Sequence, residues 1–175
     1  MKAAALQMVS TPRVDENLAQ AQALIAQAAA QGAELVALPE YFCLMGHRDA
    51  DKLAIAEPLA DAEAPDAQTC PMQAMLAQAA KQHGVWLIGG TLPILSHEAQ
   101  RVFNTTLVFN PQGIRVARYD KIHLFCFDDG DKAYNEAHTL TPGTQPVAFD
   151  MTDQSGQSWR IGLSVCYDLR FPELF

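Results

Sequence analysis

Glu34-Leu35-Val36-Ala37-Leu38-Pro39-Glu40 is the run that decides the class of fold. Glu34 to Leu38, apolar after its first residue, reads as a short strand, and Pro39 ends it. Upstream, residues 2–9 have the look of an earlier strand. Between the two, Leu18, Ala21, Leu24, Ile25 and Ala28 recur at helical spacing, with Asp15 as the expected cap and Gly32 as the stop. Strand, helix and strand in close succession make a βαβ unit with parallel pairing and a right-handed crossover, so the class is α/β. Glu40 then stands at the carboxyl edge of the sheet, where open α/β folds place their ligands. A lone loop glutamate is ordinarily solvated. The apolar run Tyr41-Phe42-Cys43-Leu44-Met45 argues instead for burial, which would raise its pKa and suit it to act as a general base.

Further along, residues 46–70 are polar and read as a loop with room for a short helix. Pro71 opens a helix with Met72, Met75 and Leu76 as core, ended at His83-Gly84, and residues 85–90 are the next buried strand. Residues 102–109 alternate, and Asn110-Pro111-Gln112-Gly113 has the chemistry of a type I turn into residues 114–119, which predicts an antiparallel hairpin. Lys121 follows where that strand runs out. Residues 126–146 read as a long connection walling a site. Its acidic run Asp128-Asp129-Gly130-Asp131 does not match a calcium loop. Residues 147–151 and 159–165 are expected to be the arms of a last hairpin around Ser155-Gly156.

Composition bounds the partners. The net charge is −8 and no stripe of Lys and Arg is present, which argues against a nucleic-acid partner. No stretch approaches the roughly 20 apolar residues of a membrane span. The amino terminus shows no signal-peptide pattern, so a cytoplasmic protein with no membrane partner is expected. Cys43, Cys70, Cys126 and Cys166 are too dispersed for a zinc site or a disulfide frame. Nothing in the sequence calls for a metal or cofactor.

The second informative stretch is Ile161-Gly162-Leu163-Ser164-Val165-Cys166-Tyr167-Asp168-Leu169-Arg170-Phe171-Pro172-Glu173. Residues 161–165 read as a buried strand, and Pro172-Glu173 as the first turn of a helix. Cys166 at that junction would face the positive end of the helix, which favours the thiolate. A buried structural cysteine is the ordinary alternative. A carboxylate, an amine and a thiol, each at a strand end, are parts that amide hydrolysis needs.

Leu38-Pro39-Glu40, the run Tyr119 to Phe125, and Cys166 to Glu173 together resemble the signature segments of the nitrilase, or carbon-nitrogen hydrolase, superfamily. The resemblance runs from the first strand to Phe175 and implies one domain over residues 1–175 with an α-β-β-α sandwich, incomplete at the C-terminus. It implies hydrolysis of a non-peptide carbon-nitrogen bond through a thioester, with Cys166 as nucleophile, Glu40 as general base and then acid, and Lys121 as oxyanion stabiliser. Glu136 resembles the supporting second glutamate, and the amide of Tyr167 would donate to the oxyanion. Cys-Tyr-Asp-Leu-Arg is similar to the amidase branches rather than to true nitrilases. The implied substrate is a small carboxylate-bearing amide such as deaminated glutathione, with omega-amide and N-carbamoyl substrates as alternatives. Arg170 is placed either to clamp that carboxylate or to pair with Asp168 or Glu173. Members of the family run on past this point and form homo-oligomers. The chain stopping at Phe175 is therefore expected to be a fragment or an inactive remnant, poorly folded when isolated, dimerless and without turnover.

Overall fold

A computed structural model of the chain describes residues 1–175. Strand β1 (Ala3–Ala5) lies parallel to β2 (Leu35–Ala37), with Ala3 opposite Leu35, and helix α1 (Val14–Ala30) crosses between them. The helix stops as expected. Gly32 takes a left-handed φ of 82° and the Ala33 N–H closes back on the Ala28 carbonyl at 3.1 Å. Its start differs from expectation, because Arg13 stands at the cap and Asp15 lies in the first turn, against the positive helix end. Asn17 is the buried polar residue of this helix, bonding the carbonyls of Thr11 at 2.7 Å and Cys43 at 2.9 Å.

Asp49–Ile55 forms a 3-10 helix in the polar stretch read as a loop with room for a short helix. Helix α2 (Pro71–His83) opens on Pro71 and ends at Gly84, as the sequence predicts, with Met72 and Met75 buried. Its first turn is held from a distance, since the buried Glu57 carboxylate accepts the N–H groups of Met72 at 2.6 Å and Gln73 at 3.2 Å. Strand β3 (Trp86–Ile88) then pairs parallel with β2.

The next element departs from the sequence reading. Residues Leu92–Leu95 form a strand, β4, that the proline at 93 concealed. It pairs with β5 (Val102–Phe109) beyond the end of β3, so that β3 and β4 lie end to end on one edge of β5. Strand β6 (Arg115–Asp120) takes the other edge through the expected hairpin. The kink between β3 and β4 is at Gly90, with φ 56°, where a Cβ would sit 2.2 Å from the Pro39 carbonyl. Only glycine allows the backbone to approach Pro39-Glu40 so closely.

After β6 the long connection contains a hairpin the sequence did not predict, β7 (Cys126–Asp128) with β8 (Ala133–Asn135), followed by a 3-10 turn at Glu136–His138. The connection returns over β6 at Gly143, whose N–H bonds the Lys121 carbonyl at 2.9 Å. A Cβ on Gly143 would fall 2.0 Å from the Asp120 carbonyl. Strands β9 (Ala148–Thr152) and β10 (Ser158–Gly162) are the predicted last hairpin, although β10 ends at Gly162 rather than at Val165.

Three layers result. Helices α1 and α2 cover one face of the six-stranded sheet through a core that includes Ile25, Val36, Leu76, Leu87 and Leu107. The β9–β10 hairpin covers the other face, packing Phe149, Met151, Leu163 and Val165 on Leu35, Val108 and Tyr119. This is the α-β-β part of the expected sandwich. Residues 166–175 add two 3-10 turns, Cys166–Arg170 and Pro172–Leu174, and no α-helix. Phe171, the residue before Pro172, leaves helical geometry at φ −117° and ψ 88°, which separates the two turns. No helix of the chain is long and apolar enough to cross a membrane.

Candidate active site

Sheet topology brings Lys121 beside Glu40, 81 positions away in the chain, and beside Glu136, 15 positions away. Lys121 follows β6 and is fully buried, its side chain 0% exposed, between two carboxylates. Its Nζ donates to Glu40 Oε1 at 3.2 Å and to Glu136 Oε1 at 3.0 Å. Burial disfavours the ammonium, but the charge of Glu40 and the bond to Glu136 more than offset it and raise the Lys121 pKa.

Glu40 is less enclosed than the sequence suggested, with a quarter of its side chain exposed. Phe42, Cys43 and Leu44 turn into the core beneath the helices and leave the carboxylate among polar partners, Lys121 and the Asn104 amide at 2.8 Å. The backbone immediately after it is strained, since Tyr41 has φ 53° and bonds Thr91 Oγ1 through its N–H at 2.8 Å. Glu136 is buried and holds the far wall. Its Oε2 accepts the Phe125 N–H at 2.7 Å while its own N–H bonds the Phe125 carbonyl at 3.0 Å.

Cys166 and Glu40 line one cleft of about 280 Å³ with Leu38, Thr91 and Ser164. Cys166 takes φ 51°, an uncommon conformation for a residue with a side chain, at a sharp turn out of extended backbone. The electrostatics reverse the expectation from the sequence. Partial burial and the neighbouring Glu40 charge raise the thiol pKa, and Lys121 only partly opposes them. The resting group is a thiol that needs a base. The Tyr167 N–H has no acceptor within the chain, which leaves it open beside the sulfur.

Asp168 is the residue that the sequence undervalued. It is completely buried and accepts from the Val165 N–H at 2.9 Å, the Tyr119 hydroxyl at 2.5 Å and the His123 N–H at 3.0 Å, with the His123 ring at 2.6 Å. These bonds tie the end of β6 to the Cys166 turn, and the His123 ring stacks on Phe171 at 3.6 Å. Arg170 therefore does not hold Asp168, nor does it pair with Glu173; it is exposed and lines no part of the Cys166 cleft. Burial alone would raise the Asp168 pKa, but its hydrogen bonds lower it. A carboxyl lowered on folding stabilises fully above its unfolded value of about 3.9 and loses that contribution as pH falls through the lower folded value. Asp168→Ala should cost roughly 2–4 kcal/mol at pH 7 by leaving several buried donors unpaired. The steep loss of melting temperature below about pH 4 should shrink in the Asp168→Asn variant. Equal acid sensitivity of the two proteins would assign that loss to other groups.

Comparison with known proteins identifies the family. The carbon-nitrogen hydrolase family model matches residues 2–175. A deaminated glutathione amidase of Synechocystis is 39% identical over 175 residues, covering 99% of this chain and 60% of its own length. The human omega-amidase NIT2 is 36% identical over 163 residues, covering 91% of this chain and 52% of its own length. The chain thus spans between half and three-fifths of the length of these relatives. Among solved structures, the C. elegans NitFhit protein superposes with a TM-score of 0.80 at 30% identity, over 97% of this chain and 39% of that one. An amidase from Nesterenkonia superposes with a TM-score of 0.74 at 25% identity, over 99% of this chain and 58% of that one. On the match along its whole length, this chain belongs to the carbon-nitrogen hydrolase family.

Proposed function

We propose that the protein hydrolyses the amide bond of a small carboxylate-bearing substrate through a thioester on Cys166. The observation that carries this reading is the placement of Glu40 between the buried Lys121 ammonium and the cleft that Cys166 lines. Glu40 takes the thiol proton as sulfur attacks the carbonyl carbon. The tetrahedral oxygen develops negative charge beside the Lys121 ammonium and the open Tyr167 N–H. Its collapse breaks the carbon-nitrogen bond, the departing amine takes the proton from Glu40, and the acyl group stays on sulfur. A water then gives its proton to Glu40, attacks the thioester and releases the carboxylic acid, and the thiol recovers the proton. Glu136 keeps Lys121 charged and in place throughout, touching no substrate.

Relatives named deaminated glutathione amidase and omega-amidase support an amide whose acid portion carries its own carboxylate. Arg170 is the cation we assign to that carboxylate: it follows the nucleophile by four residues, no acidic side chain of the chain occupies it, and because it stands outside the wall of the Cys166 cleft the substrate must extend out of the cleft to reach it. A charge-assisted bond of about 1.5–3 kcal/mol corresponds to roughly 10–100-fold in rate. Release of ammonia or amine should therefore favour 2-oxo-dicarboxylic monoamides over uncharged amides by that factor, and Arg170→Lys should reduce the preference. Equal rates on both classes would overturn the substrate class, and an unchanged preference in the variant would remove Arg170 from it.

A further inference from the structure

Asn104 is a polar residue in the middle of β5, a strand that is otherwise a run of Val, Phe, Thr and Leu. It is 1% exposed, and its Nδ2 donates to Glu40 Oε1 at 2.8 Å. Lys121 Nζ reaches that same oxygen at 3.2 Å. Glu40 Oε2 accepts no N–H or O–H group of the protein. Asn104 is also joined to Lys121 through the backbone, its carbonyl accepting the Lys121 N–H at 3.0 Å. Its own side-chain oxygen, Oδ1, is buried without any partner.

An unpaired buried amide oxygen is a standing cost that an apolar residue of similar size would avoid. A side chain retained on packing grounds alone would not be built this way. The amide cannot relieve the cost by turning over, because Oδ1 would then face the ionised Glu40. We propose that Asn104 is a positioning residue that gives the two oxygens of Glu40 separate tasks: Oε1 is occupied by Asn104 and Lys121, so Oε2 is the oxygen left to meet the Cys166 thiol proton. The proton moves from Sγ to Oε2 and returns from Oε2 to the departing amine, while Oε1 stays anchored. This rests on the reading of Glu40 as base and adds to it which oxygen acts and which residue selects it.

The test needs no amide substrate. Iodoacetamide alkylates a deprotonated thiol with loss of iodide, and peptide mass mapping reports the rate at each cysteine separately. Cys126 is exposed and far along the chain from the base, and serves as the internal control. Asn104→Leu, which removes the donor and the orphaned oxygen together, should slow alkylation of Cys166 about tenfold, leave Cys126 unchanged and leave the melting temperature equal or higher. Asn104→Asp, of the same shape but with a carboxylate facing Oε1, should slow Cys166 at least as much. Cys166 reacting at the unaltered rate in both variants, or losing rate only in step with lost stability, overturns the positioning role. Acylation of Cys166 by an amide is measured in parallel in the unaltered protein. A normal acylation rate in the two variants counts against Asn104 alone, whereas no acylation in the unaltered protein overturns the amidase reading itself.

Discussion

An amide substrate quenched in acid during turnover should leave its acyl mass on the peptide that contains Cys166 and on no other, and Cys166→Ala should abolish both adduct and product. The expected loss is on the order of 10⁴–10⁶-fold, the scale on which removing a covalent nucleophile acts when its partners have no other task. The other three thiols have identifiable reasons to stay silent. Cys43 is buried, and that burial pushes its pKa up to about 12. Cys70 is buried against the Pro58 carbonyl. Cys126 is exposed on β7 and takes no part in the cleft that Cys166 and Glu40 line. Because the Cys166 thiol is itself raised rather than lowered, Glu40→Gln should suppress adduct formation nearly as strongly as loss of the sulfur. An acyl adduct that persisted in Cys166→Ala would assign the chemistry to another residue.

Lys121→Met should act twice. It removes an oxyanion donor, which costs about 10²–10³-fold in turnover in sites of this kind. It also leaves the Glu136 carboxylate buried without a cation, and breaking a buried pair from one side costs about 3–5 kcal/mol of stability. The two effects separate in the double variant. Lys121→Met with Glu136→Gln no longer buries an unpaired charge, so a large part of the lost melting temperature should return while turnover stays low. Turnover that recovered together with stability would make Lys121 a structural residue. The prediction follows from an asymmetry in the site: Glu136 supports the fold through Phe125 and Lys121, whereas Glu40 faces the cleft.

Much of the fold could be read from the chain because the informative features are local. Leu35–Ala37 and Trp86–Ile88 are short apolar runs with a helix between them, and Gly32 and Gly84 end those helices with backbone angles glycine adopts at no steric cost. The β5–β6 hairpin was visible in Asn110-Pro111-Gln112-Gly113, whose Asn110 side chain accepts the N–H groups of Gln112 and Ile114. Strand β4 was not visible, because Pro93 suppresses the signal and the pairing that stabilises it comes from β5 across the sheet. The β7–β8 hairpin has a polar turn and too few apolar residues to stand out.

The candidate site divides in the same way. Glu40, Lys121, Glu136, Tyr167, Arg170 and Cys166 were nameable from the sequence, the first three and the cysteine through motifs that sit at strand ends. Their environment was not. Whether Cys166 is held as thiol or thiolate depends on its burial and on the charges of Glu40 and Lys121, and neither is a property of neighbouring residues in the chain. Asp168 reads as a surface partner for Arg170 until Tyr119 and His123 are folded against it. Asn104 carries a faint signal, a lone amide within an apolar strand, but only the tertiary structure shows which oxygen of Glu40 it holds. The sequence determined which groups this protein presents and the class of fold that presents them, because propensity and turn chemistry act over a few residues. Charge state and the division of labour among those groups were decided by tertiary structure, because electrostatics and desolvation act through space.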